Sequence, residues 1–121
     1  MNDFEKDNVI KNKSYKFALR IIKLYKYLCE ERNEYVLSKQ LLRSGTSIGA
    51  NIEEAIGGIS KKDFLNKIYI AYKEARETRY WINLLIDSDY ITEKSAESLK
   101  VDCEEIIKIA GKIISSSRKV D

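Results

Sequence analysis

Proline and histidine are both absent from this chain. Proline suits turns and sheet edges and is shut out of helix interiors, so its absence from 121 residues leans towards long helices with short connections. Without histidine, serine or cysteine catalysis of the histidine-dependent kind is excluded, and a zinc site loses its commonest ligand. No run approaches the ~20 apolar residues that span a bilayer. The opening MNDFEKDNVIKNKS is polar and mixed in charge, unlike a secretory leader. Cys29 and Cys103 have no metal-ligand spacing and read as small buried hydrophobes in a reducing compartment. These absences lead to the expectation of a cytoplasmic protein, not an enzyme, with no cofactor, no metal and no membrane role. The net charge of +3 is modest, so any basic surface has to come from local clustering.

What is present is helical periodicity. In residues 14–31, Phe17, Ala18, Ile21, Leu24, Tyr25 and Leu28 fall on one face at 100° per residue. A polar break, RNEY, follows. Ser38 is a candidate cap for a second helix over 38–56, with Leu41, Gly45, Ile48, Ile52, Ala55 and Ile59 as its stripe and Gly57-Gly58 as a stop. Ser60-Lys61-Lys62-Asp63 resembles a capping box, with Asp63 in place of the usual Glu or Gln. The third helix, 61–86, has a seam of Phe64, Ile68, Ala71, Ala75, Thr78, Ile82 and Leu85. DSDY is a turn, and Thr92-Glu93 looks like a cap followed by an acid at the positive helix end. The fourth helix, 93–116, is marked by Ala96, Leu99, Cys103, Ile106, Ala110, Ile113 and Ser117. Helices of this length are each about 30 Å long, and short connections make neighbours antiparallel. The fold class is therefore all-α: one domain over 1–121, an up-down-up-down antiparallel four-helix bundle.

The stretch LLRSGTSIGANIEEAIGG, Leu41–Gly58, has the small residues of a phosphate-binding loop. Its spacing is Gly45-x-x-x-Gly49, which is neither the dinucleotide fingerprint nor the nucleotide-triphosphate loop, and no β-rich run precedes it. On a helix the residues sort themselves: Gln40, Arg43, Ser44, Ser47, Asn51 and Glu54 form a polar line about a quarter-turn from the apolar stripe. Interior glycines cost up to ~1 kcal/mol each relative to alanine, so close approach of a neighbouring backbone is expected. That approach would partly bury the polar line, and buried polar groups need partners. Arg43, Ser47, Asn51, Glu54 and Glu74 are thus expected to form a buried polar network. A carboxylate metal centre of the bundle type is rejected, because it needs Glu-x-x-His pairs.

This stretch, together with KKDF at Lys61–Phe64 and AYKEARETRYW at Ala71–Trp81, closely resembles the four-helix-bundle family of 23S ribosomal RNA intervening-sequence proteins. The resemblance covers about residues 8–115. The family's positions in the second helix map onto Arg43, Ser44, Gly45, Ser47, Gly49, Asn51 and Glu54, and those in the third onto Glu74, Glu77 and Trp81. Asp89 departs from the pattern, where glycine is expected in the turn. The family has no established biochemical activity. It is similar to the accessory proteins of diversity-generating retroelements, which are barrel-like homopentamers with basic surfaces that associate with reverse transcriptase and nucleic acid. The resemblance thus implies a homo-oligomer, with the pentameric number coming from it alone.

Two surfaces could carry function. Between Asn8 and Cys29 there are six basic residues and no acid. Lys13, Lys16, Arg20, Lys23 and Tyr27 project opposite the apolar seam, with Lys26 at the margin. Such a stripe could bind phosphates of RNA or DNA, with the ring available for stacking. The third helix carries apolar residues over too much of its circumference for one buried stripe. Ile70, Tyr80, Trp81 and Leu84 are candidates for an oligomer interface. The leading expectation is a non-catalytic, homo-oligomeric nucleic-acid-binding protein. The alternative is a structural module that holds a partner protein.

Overall fold

The computed structural model describes residues 3–120, and the side chains of residues 8–117. Four helices occupy this span: α1 (Asp3–Arg32), α2 (Leu37–Ile56), α3 (Lys61–Asp87) and α4 (Glu93–Val120). No strand occurs among the described residues. Contacts along each seam run in opposite sequence directions. On the α1–α2 seam Lys11 meets Glu53, and Cys29 meets Ser38. Between α2 and α3, Arg43 meets Glu74, and Glu54 meets Lys67. Arg79 meets Glu104 across α3–α4, where Tyr72 lies beside Gly111. The fourth seam has Lys13 against Glu105 and Arg20 against Asp102. Every pair of neighbours is therefore antiparallel, and α4 closes back on α1. The chain is an up-down-up-down four-helix bundle.

The predicted stripes line one core. Phe17, Ile21, Leu28, Leu41, Ile48, Ile52, Ile68, Ile82, Leu85 and Ile106 are fully buried. Each such side chain contributes about 1.5–3 kcal/mol by leaving water.

Three local features depart from the expected pattern. First, α1 begins well before residue 14. Ile10 is fully buried and Ser14 nearly so, extending the Phe17–Ile21 stripe by two turns. The polar composition of residues 1–14 hid this, although Ile10 sits one heptad before Phe17. Second, Ile59 is almost wholly exposed instead of belonging to the α2 stripe, because α2 ends at Ile56. Gly57 closes α2 without a left-handed backbone. At Gly58 the constraint is space, since a Cβ there would lie 3.0 Å from the Ala55 carbonyl oxygen. Third, Ser38 does not cap α2. It lies inside the helix, where its hydroxyl donates to the Glu34 carbonyl at 2.8 Å. The capping group is Glu34, whose carboxylate accepts from the backbone N–H groups of Val36, Leu37 and Ser38 at 2.8–3.0 Å. Those are orphan donors at the positive end of the helix.

The other ends follow their sequence signals. Ser60 accepts from the Asp63 N–H at 3.1 Å. At α4, Thr92 and Ser95 exchange side-chain and backbone hydrogen bonds at 3.0 and 3.2 Å. Asp89 takes the conformation that a glycine would favour, with φ at 68°. The Asp89 N–H donates to Ile86 O, and the Tyr90 N–H to Leu85 O, which closes α3 in a Schellman motif.

Candidate functional site

The two glycines of α2 crowd α1. A Cβ at Gly45 would lie 2.7 Å from the Cγ atoms of Ile21, and one at Gly49 would touch the Ser14 backbone at 3.5 Å. The close approach expected of this stretch is thus on the α1 side, against the Ile21 side chain at Gly45 and the Ser14 backbone at Gly49. The polar line lies on the opposite flank, towards α3, so the crowding against α1 does not bury it, and its one fully buried member, Ser44, is covered by α3 instead. That corrects the expected buried network. Arg43 is half exposed and Glu54 more than half. Glu54 is taken by Lys67 at 3.1 Å, and Asn51 bonds back to the Ser47 carbonyl and hydroxyl within its own helix at 2.9 and 3.1 Å. Between helices, among the described residues, Arg43 and Glu74 are the one pair of the five that meets, at 3.2 Å. The other Arg43 nitrogen binds Glu77, which also accepts from Trp81 Nε1 at 3.0 Å. The five residues therefore form three separate surface groups.

The buried polar contact between α2 and α3 is elsewhere. The Ser44 and Thr78 hydroxyls lie 2.9 Å apart, and Thr78 Oγ1 is 2.8 Å from the Glu74 carbonyl oxygen. Both residues were visible in sequence, Ser44 on the polar line and Thr78 in the seam. Their pairing depends on helix register, which a single sequence does not supply. No buried side-chain nitrogen or oxygen among the described residues is left without a partner. Among those residues, no group of three His, Cys, Asp or Glu side chains could hold a metal ion. Cys29 and Cys103 are free thiols. Burial pushes the Cys103 thiol up to about 12, and it donates to the Ala75 carbonyl at 3.3 Å.

The basic face of α1 looks towards α4, and α4 is acidic there. Lys13 Nζ lies 2.7 Å from Glu105, and Arg20 Nη1 lies 2.5 Å from Asp102. The hydrogen bond to Glu105 raises the Lys13 pKa against a smaller opposing effect of desolvation. Lys16, Lys23 and Lys26 are exposed, and none has a carboxylate partner among the described residues. Tyr27 is exposed beside them. Arg20, Lys23 and Tyr27 line a cleft of about 410 Å³ between α1 and the start of α4, floored by Leu24, Ile91 and Leu99. A wider and more open hollow of about 670 Å³ follows α4 alone, with four glutamates on its walls. One helix cannot enclose a ligand, and its charge opposes a phosphate.

The candidate interface residues differ among themselves. Ile70 and Tyr80 are exposed. Trp81 and Leu84 are half-buried. Trp81 packs against the core and meets the Tyr80 ring edge-on at 5.1 Å. Arg32 was not singled out in sequence. It binds the carbonyls of Asp89 and Tyr90 at 3.2 and 2.7 Å and lies over the Tyr90 ring, tying the end of α1 to the α3–α4 turn.

Residues 6–112 match the model of the 23S rRNA-intervening sequence protein family. The chain belongs to that family. A similar solved structure, at 1.70 Å, is a protein of unknown function from the S23 ribosomal protein family of Bacteroides thetaiotaomicron VPI-5482. It is 56% identical, has a TM-score of 0.89, and the match covers 91% of this chain and 98% of that one. No curated protein matches the chain at a significant level. Membership of the 23S rRNA-intervening sequence family accounts for the motifs of α2 and α3. It names no partner, so the surfaces have to argue for one. No helix among the described residues is long and apolar enough to cross a membrane.

Proposed function

We propose that the chain is a non-catalytic, homo-oligomeric bundle that binds nucleic acid, RNA or DNA, through α1. The observation that carries this reading is the set of three exposed lysines, Lys16, Lys23 and Lys26, with no carboxylate partner among the described residues and Tyr27 alongside. Cations already matched within a chain have little to offer a phosphate, whereas unmatched ones release counterions when they bind it. Lys13 and Arg20 therefore contribute less than their number suggests.

The test is reversal of Lys16, Lys23 and Lys26 to glutamate together. Affinity for an oligonucleotide at low salt should fall on the order of a hundred-fold, with the helical signal unchanged. Undiminished binding would overturn the assignment. Self-association, with five copies as the number carried by the resemblance, is supported by the exposure of Ile70 and Tyr80 on α3. Substituting both with aspartate should lower the mass in sedimentation. The same exposure favours a second reading, in which α3 holds a partner protein and the α1 lysines are only solvated. Capture of a single protein that survives nuclease treatment supports that reading.

A further inference from the structure

The outward side of α3, where it faces α4, carries a second arrangement of cations and rings, independent of α1. Tyr69 is about half exposed, and its ring stacks on that of Tyr72 at 6.5 Å between centroids with 25° between planes. Lys73 Nζ lies 5.7 Å from the centre of the Tyr69 ring, and Arg76 Cζ lies 5.8 Å from that of Tyr72. Across the seam, α4 lays Gly111 against Tyr72, where even an added Cβ would be only 3.6 Å from the ring. Lys73 and Arg76 have no carboxylate partner among the described residues. Glu104 on this seam is already held by Arg79 at 2.9 Å.

A solvated face would offer mixed charge, and a subunit contact would offer apolar area. Here two cations, unmatched among the described residues, lie against two tyrosines. The cations sit on the faces of the rings, a geometry that holds the rings in place while leaving the charge free for a phosphate. We infer that Tyr69, Tyr72, Lys73 and Arg76 form a binding site for single-stranded nucleic acid. Tyr69, the exposed ring, stacks on an unpaired base with Tyr72 behind it, and the two cations contact the backbone. A duplex keeps its bases stacked internally, so it can use only the cations. Preference for the unpaired strand is the signature of the rings. A second copy of this chain presenting the same face would bring like charges together, which disfavours self-association through this patch.

The experiment compares a labelled oligouridine with a labelled duplex of equal length across a salt series. Tyr69→Ala should weaken oligouridine binding about ten-fold and leave duplex binding unchanged, while Tyr69→Phe keeps the ring and restores binding. Lys73→Glu with Arg76→Glu should weaken both probes and reduce the salt slope by about two. These side chains are exposed or partly exposed, so circular dichroism should be unaltered. Measured alongside, the triple reversal on α1 separates the two surfaces. Loss of oligouridine binding with the α3 variants, whatever the α1 variant does, supports this site. Tyr69→Ala binding oligouridine as tightly as the unchanged chain would overturn it. So would an unchanged salt slope in the charge-reversed α3 variant, or a change in its assembled mass.

Discussion

The two flanks of α1 are built differently. Against α2 the helix is held by shape: Gly45 makes room for Ile21, and Gly49 lets α2 approach the Ser14 backbone. Against α4 it is held by charge, through Lys13–Glu105 and Arg20–Asp102, and a cleft remains open beside Tyr27. A close-packed seam tolerates almost no change in volume, while an ion-paired seam at the surface contributes little to stability and can be rearranged. The difference teaches that α1 is positioned from the α2 side. Its α4 side decides which cations stay unmatched.

Breaking the close-packed flank should have the largest effect on stability. Gly45→Ala improves helix propensity, yet its Cβ would meet a fully buried, β-branched Ile21, and a loss of about 1–3 kcal/mol is expected in chemical denaturation. Gly49→Ala meets only ordinary van der Waals contact and should be neutral or stabilising by up to ~1 kcal/mol. If the two variants were equally stable, the seam would not be close-packed as described.

Next in size is Glu34, which fixes the start of α2 just after α1 ends. Burial alone would raise its carboxyl. The N–H groups of Leu37, Ser38 and Val36 and the Ser38 side chain outweigh that and leave it below the ordinary glutamate range. A lowered folded value means that its stabilisation is fully present above about pH 4.3 and is lost as pH falls through the lower folded value. Glu34→Gln should cost about 1–3 kcal/mol near neutrality and flatten the acid limb of a stability–pH curve. An acid limb identical to that of the unchanged chain would remove Glu34 from its capping role.

The ion-paired flank should show the smallest change in stability and a gain in binding. Asp102→Asn with Glu105→Gln frees Arg20 and Lys13 at a cost of under about 1 kcal/mol. Oligonucleotide affinity should rise by a factor of roughly three to ten as two more cations reach phosphate. Unaltered affinity would mean that the α4-facing side of α1 is not on the binding surface.

Much of the fold was legible because helical stripes and capping residues act locally. The seams of α3 and α4 and the caps at Ser60 and Thr92 needed only spacing and residue type. Residues whose meaning depends on a neighbouring helix were less legible. Arg43 and Glu54 looked buried because the glycines beside them implied crowding, but the crowding came from the other flank of α2. Lys13 and Lys16 read alike in sequence and differ only in whether α4 has a carboxylate opposite. Glu34 sat in a polar break where a single buried charge looks like any loop acid. The Tyr69–Arg76 arrangement was invisible for the same reason, since its freedom from carboxylates depends on where Arg79 holds Glu104.

One salt titration reaches the centre of this account, which is that a cation on α1 serves a phosphate only when α4 has not already matched it. Lys16→Gln with Lys23→Gln, and Lys13→Gln with Arg20→Gln, each remove two positive charges from the same helix. The first pair should lower the slope of log affinity against log salt by about two, and the second by less than one. Equal losses from the two pairs would contradict the account.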